Sequence, residues 1–165
     1  MEQRFEELIL PHMDAAYNLA RFMTRDAAAA DDVVQEALLR AYRSFSSYRG
    51  GDPKSWVLAI VRNCCSSFLA AVARDRSTST IGLDSIEGSH HDNPEHAALR
   101  QSEVDAVRAM IADLPEPFRE ALVLRELEDL SYKQIAQVTG VPVGTVMSRL
   151  ARARQMLREA AEAIR

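Results

Sequence analysis

Residues 77–96, STSTIGLDSIEGSHHDNPEH, constrain this chain more than any other stretch. They are rich in Ser, Gly, Thr, Asp and His and show no sustained apolar period, which is the composition of a flexible linker. A linker in the middle of 165 residues leaves room for two small ordered units and no large one. The sequence therefore predicts a first unit at 1–76, a flexible acidic linker at 77–94 and a second unit at 95–165, with Pro94 near the start of its first helix.

Both units carry helical periodicity. Phe5, Leu8, Ile9, Met13, Ala16, Ala20 and Met23 recur at three- and four-residue steps and form one apolar stripe. Asp26 is placed to cap a second helix, whose buried side is read as Val34, Ala37, Leu38, Ala41 and Phe45. Gly50-Gly51-Asp52-Pro53 ends that helix. Ser55 is expected to cap a third, with Trp56, Ile60, Cys64 and Phe68 on one side. Further helices are expected over 103–114, 118–127 and 132–138, the last capped by Ser131, and from Pro142-Val143 to Ile164. No stretch reads as a strand. The expected class is all-α: two small helical domains joined by a linker, the second holding a helix-turn-helix.

Composition narrows the function. Hydrophobic residues make up 47% of the chain, enough for a core. No apolar stretch is expected to approach the roughly 18 residues of a membrane span. The start, MEQRFEELILPHMD, lacks the basic and apolar regions of an export signal, so a cytoplasmic protein without membrane insertion is expected. Cys64 and Cys65 are neighbours, a spacing that rarely reaches disulfide geometry, and are read as small buried residues. His90, His91 and His96, with Asp92 and Glu95, match no standard zinc spacing. No metal or other cofactor is expected, and with no P-loop or nucleophile motif, no enzymatic activity.

Net charge is −4, and the deficit sits in the middle: residues 77–96 hold Asp84, Glu87, Asp92 and Glu95 with no base. Residues 143–158 hold Arg149, Arg152, Arg154 and Arg158 with no acid. An acidic total therefore does not exclude nucleic acid. This basic run follows Gly140 and Pro142 in LSYKQIAQVTGVPVGTVMSRLARAR (130–154). Ala136, Gly140 and Val146 have helix-turn-helix spacing: a small residue for close approach, a glycine for the turn, an apolar anchor on the second helix. Val146, Leu150, Ala153 and Leu157 make that helix's buried stripe. Thr145, Ser148, Arg149 and Arg152 make a second stripe suited to base edges and phosphates, with Arg154 and Arg158 flanking it.

DDVVQEALLRAYRSF (31–45), a broken loop and SWVLAIVRN (55–63) together resemble region 2 of bacterial sigma factors of the extracytoplasmic-function (ECF) type. LPEPFREALVLRELEDLSYKQIAQVTGVPVGTVMSRLARARQML (114–157) resembles their region 4, so nearly the whole chain outside the linker is covered. The resemblance implies a protein that binds core RNA polymerase and directs it to promoters with −35 and −10 elements. It implies docking of helix 31–45 on the β′ clamp helices, through Asp32, Gln35, Glu36, Leu39 and Arg43, with the β flap as a second contact. It implies that loop 48–55 helps trap a base flipped from the −10 element, with Arg49, Lys54, Arg62 and Asn63 as contacts and Trp56 as a core anchor. Thr145, Ser148, Arg149, Arg152 and Arg154 become the −35 contacts. An anti-sigma factor becomes an expected partner, and the linker is expected near the RNA exit path of the polymerase.

The chain departs from the family pattern twice. Ser67 stands at a usually acidic position, and Ala70, Ala71 and Ala73 leave only Arg74 and Arg76 basic after Asn63, so intrinsic −10 binding is expected to be weak. Met147 stands where Lys or Arg is common; it can touch a thymine methyl but donates no hydrogen bond. The competing readings are a conventional helix-turn-helix regulator, from which the 31–45 helix and glycine loop discriminate, and a sigma-like decoy that sequesters an anti-sigma factor.

Overall fold

The computed structural model describes residues 1–78 and 98–164. Helix continues through Ser77 and Thr78, two residues into the expected linker; the rest of that expectation, including Pro94 and the His90/His91/His96 group, lies outside these residues. Eight α-helices occur among the described residues and no strand: α1 (Glu2–Ile9), α2 (Met13–Thr24), α3 (Ala27–Ser44), α4 (Pro53–Thr78), α5 (Ala98–Ala112), α6 (Glu116–Leu122), α7 (Tyr132–Thr139) and α8 (Val143–Ile164). A π-helical turn, Val123–Leu127, extends α6.

Local chemistry accounts for several helix ends. The Asp26 carboxylate accepts from the N–H groups of Ala28 (2.8 Å) and Ala29 (3.4 Å) and starts α3. Ser131 and Gln134 form a capping box at α7. Gly140 takes the left-handed conformation, φ 74°, that ends α7 and aims α8 across it. Besides α5 and α6, which begin at Ala98 and Glu116 where the sequence reading has 103 and 118, two ends differ from that reading. The first stripe is divided between α1 and α2 by a 3-10 turn over Leu10–His12, because Pro11 has no N–H and its ring crowds the preceding turn. The third helix begins two residues before Ser55: Asp52 accepts from the N–H groups of Lys54 and Ser55, both at 3.2 Å, and Pro53 takes the first helical position, where its missing N–H costs nothing.

The core also departs in detail. On α3 the buried residues are Ala29, Ala30, Val33, Ala37 and Ala41, with Val34 and Leu38 at the edge. On α4 they are Val57, Leu58, Val61, Cys64 and Cys65, so the inward side is rotated from Trp56, Ile60 and Phe68, which are half-buried. Trp56 instead closes a satellite aromatic cluster with Phe45 and Tyr48. Contrary to expectation, one stretch, Pro53–Ser77, is long and apolar enough to cross a membrane by length and composition. Here Val57, Leu58, Val61, Cys64 and Cys65 lie in the core, while other apolar residues of the helix are only partly buried or exposed.

That core is continuous across both halves of the chain. Ala16, Leu19, Met23, Leu58, Val61 and Cys65 belong to the same buried cluster as Leu122, Leu124, Ile135, Val146 and Leu150. Helix α6 packs on α2, and α7 packs on α4. Arg119, 7% exposed, ties the halves together at helix ends: it donates to the carbonyls of Ala112 (3.1 Å) and Leu114 (2.9 Å) and, from the other half, Met23 (3.2 Å).

Candidate nucleic-acid interface

Helix α8 is held by Val146, Leu150 and Ala153, all fully buried, with Leu157 half-buried. The remaining faces follow from the helical period. Ser148, Arg152 and Arg158 are exposed; Thr145, Arg149 and Arg154 are half-buried on the flanks. Arg154 is bound at 3.0 Å to Glu126 of the π turn, so of the expected −35 contacts Ser148 and Arg152 face outward most fully. Met147, 53% exposed, shares the outward face, as does Val143, 41% exposed, which the sequence reading did not include. Counting the buried period back from Leu150 would have found Val143.

The loop before α4 is shaped by its glycines. Gly50 (φ 92°) and Gly51 (φ 89°) occupy the left-handed region open to residues without a Cβ. The Tyr48 hydroxyl donates to the Gly51 carbonyl at 2.7 Å, pinning the loop on the aromatic cluster. Arg49 is exposed on this loop, and Asn63 is exposed one turn into α4 from Ala59.

Lys54 and Arg62 have other surroundings. The Lys54 ammonium donates to the Glu128 backbone carbonyl at 2.8 Å and lies 3.6 Å from its carboxylate. Arg62 Nε donates to Glu120 at 2.7 Å. Glu120 and Glu128 are 2% and 6% exposed, and both come from the C-terminal half. Burial pushes the Glu120 carboxyl above the usual range, although Arg62 draws it back. Between these pairs, Gln134 donates to Asp52 at 2.7 Å while its oxygen accepts from the Ser131 N–H. Burial pushes Asp52 up, but donors from Ser55, Gln134 and the backbone outweigh it and hold the carboxyl below its usual range. A sign of this enclosure was present in the sequence: residues 121–124 are apolar on every face of one helical turn, so the adjoining Arg119 and Glu120 are drawn inside with them.

A second surface lies on α3. Asp32, Gln35, Glu36, Leu39 and Arg43 are all exposed along it, joined by Tyr42, which the sequence reading did not include. Leu39 is 52% and Tyr42 43% exposed. Asp32 and Glu36 also edge a hollow of about 280 Å3 over Val33, Cys64 and Phe68. Cys64 and Cys65 are buried and unpaired, and burial pushes the Cys65 thiol up to about 12. Among the described residues no group of His, Cys, Asp and Glu could hold a metal ion.

Comparison with known proteins adds a history to this geometry. Family models described as Sigma-70 region 2 and Sigma-70 region 4 match residues 8–75 and 105–157. The chain is 36% identical to the RNA polymerase sigma-H factor of Pseudomonas aeruginosa, over 96% of this chain and 86% of that one. It is 36% identical to the ECF RNA polymerase sigma-E factor of Escherichia coli, over 86% and 79%. Among solved structures, the sigma factor RpoE in complex with the anti-sigma factor NepR from Bartonella quintana superposes over all of both chains, with TM-score 0.80 and 24% identity. CnrH in complex with the cytosolic domain of CnrY matches 99% of this chain and 90% of that one, with TM-score 0.67 and 23% identity. These two likenesses concern the fold.

Proposed function

The chain belongs to the sigma-70 family, in its ECF group with regions 2 and 4, and from that premise we propose how its surfaces divide the work of transcription initiation. The exposed face of α3, with Asp32, Gln35, Glu36, Leu39 and Arg43, docks on the β′ clamp helices of core RNA polymerase. A polar face with one large apolar residue suits a protein contact. The β flap takes the C-terminal half. The glycine loop and α4, through Arg49, Lys54, Arg62 and Asn63, receive the −10 element. Helix α8 enters the −35 major groove, with Ser148 and Arg152 toward the bases and Thr145, Arg149 and Arg154 toward the flanks and phosphates.

The observation that carries this reading is the outward stripe of α8, with no acid between 143 and 158, on a helix-turn-helix whose turn is built by Gly140. Sigma supplies contacts that favour a melted strand, and the polymerase performs the chemistry. An anti-sigma factor is a fitting regulator, because the exposed Leu39 and Tyr42 offer it an apolar foothold. The reading places the protein in the cytoplasm with the polymerase.

Gel filtration of the purified chain with core RNA polymerase tests the proposal. Co-elution that is lost on Gln35→Arg with Leu39→Asp, while the variant stays folded, supports it. A folded native chain that never co-elutes turns the argument to a conventional regulator.

A further inference from the structure

Gly144 stands on the first turn of α8 without a reason inside the protein. It does not have positive φ, unlike Gly50, Gly51 and Gly140. A Cβ built on it meets nothing within 4 Å. Glycine is less favourable than alanine in a helix. Neither backbone conformation nor packing calls for it, so what it accommodates comes from outside.

Its neighbours indicate what that is. Val143 and Met147 lie four residues apart on the same outward face, exposed although apolar. They continue into Ser148 and Arg152 on the same side, and Arg149, Arg154 and Arg158 flank them with no acid nearby in sequence. A positively charged surround matches a polyanion, and the first turns of a groove-entering helix are those that touch base edges. Valine and methionine donate no hydrogen bond. The major-groove feature they fit is the C5 methyl of thymine.

We propose that Val143, Gly144 and Met147 form a specificity-determining tip of the reading helix, in which Val143 and Met147 pack on thymine methyl groups of the −35 element and Gly144 gives the DNA clearance to approach. This rests on α8 being the −35 reader. Affinity in this element then comes from the arginines, while thymine preference comes from the apolar pair.

The test uses the full chain with core RNA polymerase and a promoter library randomised at the −35 element, followed by replacement of selected dT by deoxyuridine, which removes only the methyl. The selected elements should contain dT at one or two fixed positions. Deoxyuridine there should weaken holoenzyme binding roughly threefold to tenfold, the size expected for losing one buried methyl contact. Met147→Ala should bind dT and deoxyuridine equally at one of those positions, and the double variant with Val143→Ala at all of them. If Met147→Ala keeps the full deoxyuridine penalty at every position, or if the selected elements lack fixed dT, the proposal is wrong. If Met147→Ala lowers binding to core polymerase instead, the apolar pair docks protein and the proposal also falls. Gly144→Ala should keep or raise the melting temperature while weakening promoter binding; unchanged binding overturns the clearance role. Failure of the underlying reading looks different: no −35 sequence is enriched at all, and Arg152→Ala changes nothing.

Discussion

Lys54 and Arg62 on α4 and Ser148 and Arg152 on α8 are all proposed to meet DNA, yet their surroundings differ. The α4 cations lie against Glu128 and Glu120 of the opposite half, at 2.8 Å to the Glu128 carbonyl and 2.7 Å to the Glu120 carboxylate. On α8, Ser148 and Arg152 face solvent. A carboxylate and a phosphate ask the same of a cation: close negative oxygen. The contrast teaches that the protein sets its own carboxylates against one proposed DNA surface, while on the other Ser148 and Arg152 stay open and only the flanking Arg154 is bound, to Glu126. If Lys54 and Arg62 meet the −10 element as proposed, they are fully available to it only once their bonds to Glu128 and Glu120 are broken. The thin basic content beyond Asn63 gives the released surface little surplus with which to force that separation.

The open surface should give the largest effect. Arg152→Ala is expected to lower transcription from a cognate promoter by roughly fivefold to a hundredfold, the span of one good base contact, with core binding intact. Run-off transcription and gel filtration read the two quantities. Equal loss of core binding would mark a folding defect and remove the contrast.

Next comes the covered surface. Glu120→Gln keeps the shape and removes the charge that holds Arg62. We expect the free chain to bind a −10 single strand roughly threefold to tenfold more tightly, since one buried partner has been released. Cys65 lies in the shared core near Glu120, with its thiol held up to about 12, so it should resist alkylation at neutral pH in the native chain. In Glu120→Gln it should label faster, as followed by mass spectrometry. If neither DNA affinity nor labelling moves, the inter-half ion pair does not compete with DNA.

Glu128→Gln should do less. Lys54 keeps its bond to the Glu128 backbone carbonyl, and the lost carboxylate contact is long, at 3.6 Å. We expect a change in −10 affinity under about twofold, by fluorescence anisotropy. The smallest effect belongs to Arg25–Asp113, which also bridges the halves at 3.0 Å but with side chains 54% and 72% exposed. Asp113→Asn should shift stability by no more than about 0.5 kcal/mol in urea unfolding. A large shift there would mean that charge at the rim matters as much as charge in the buried pairs.

Several parts of this arrangement were legible in the sequence for local reasons. Asp26 reaches N–H groups two and three residues away, Ser131 pairs with Gln134 within one turn, and Gly140 and Pro142 act on their own backbone. The buried stripe of α8 repeats every turn, and Val146, Leu150 and Ala153 were read correctly. Where two local signals competed, the reading failed. Asp52 and Ser55 both can cap a helix; Asp52 prevails because Pro53 is preorganised for the first position. On α4 the apolar residues encircle the helix, so periodicity alone did not choose between Trp56/Ile60 and Val57/Leu58/Val61.

By itself, then, the sequence determined the helical class, the turn that presents α8, the basic stripe upon it and the family to which the chain belongs. All of these rest on residues within a few positions of one another, or on motif order along the chain. Tertiary structure alone decided which cations face solvent. Arg62 and Glu120 stand 58 residues apart, and Asp52 and Gln134 stand 82 apart. Pairs at such distances leave no period in the sequence. They form because burying the apolar faces of α2, α4, α6 and α7 together brings those charges to one interface, where each must find a partner or remain costly.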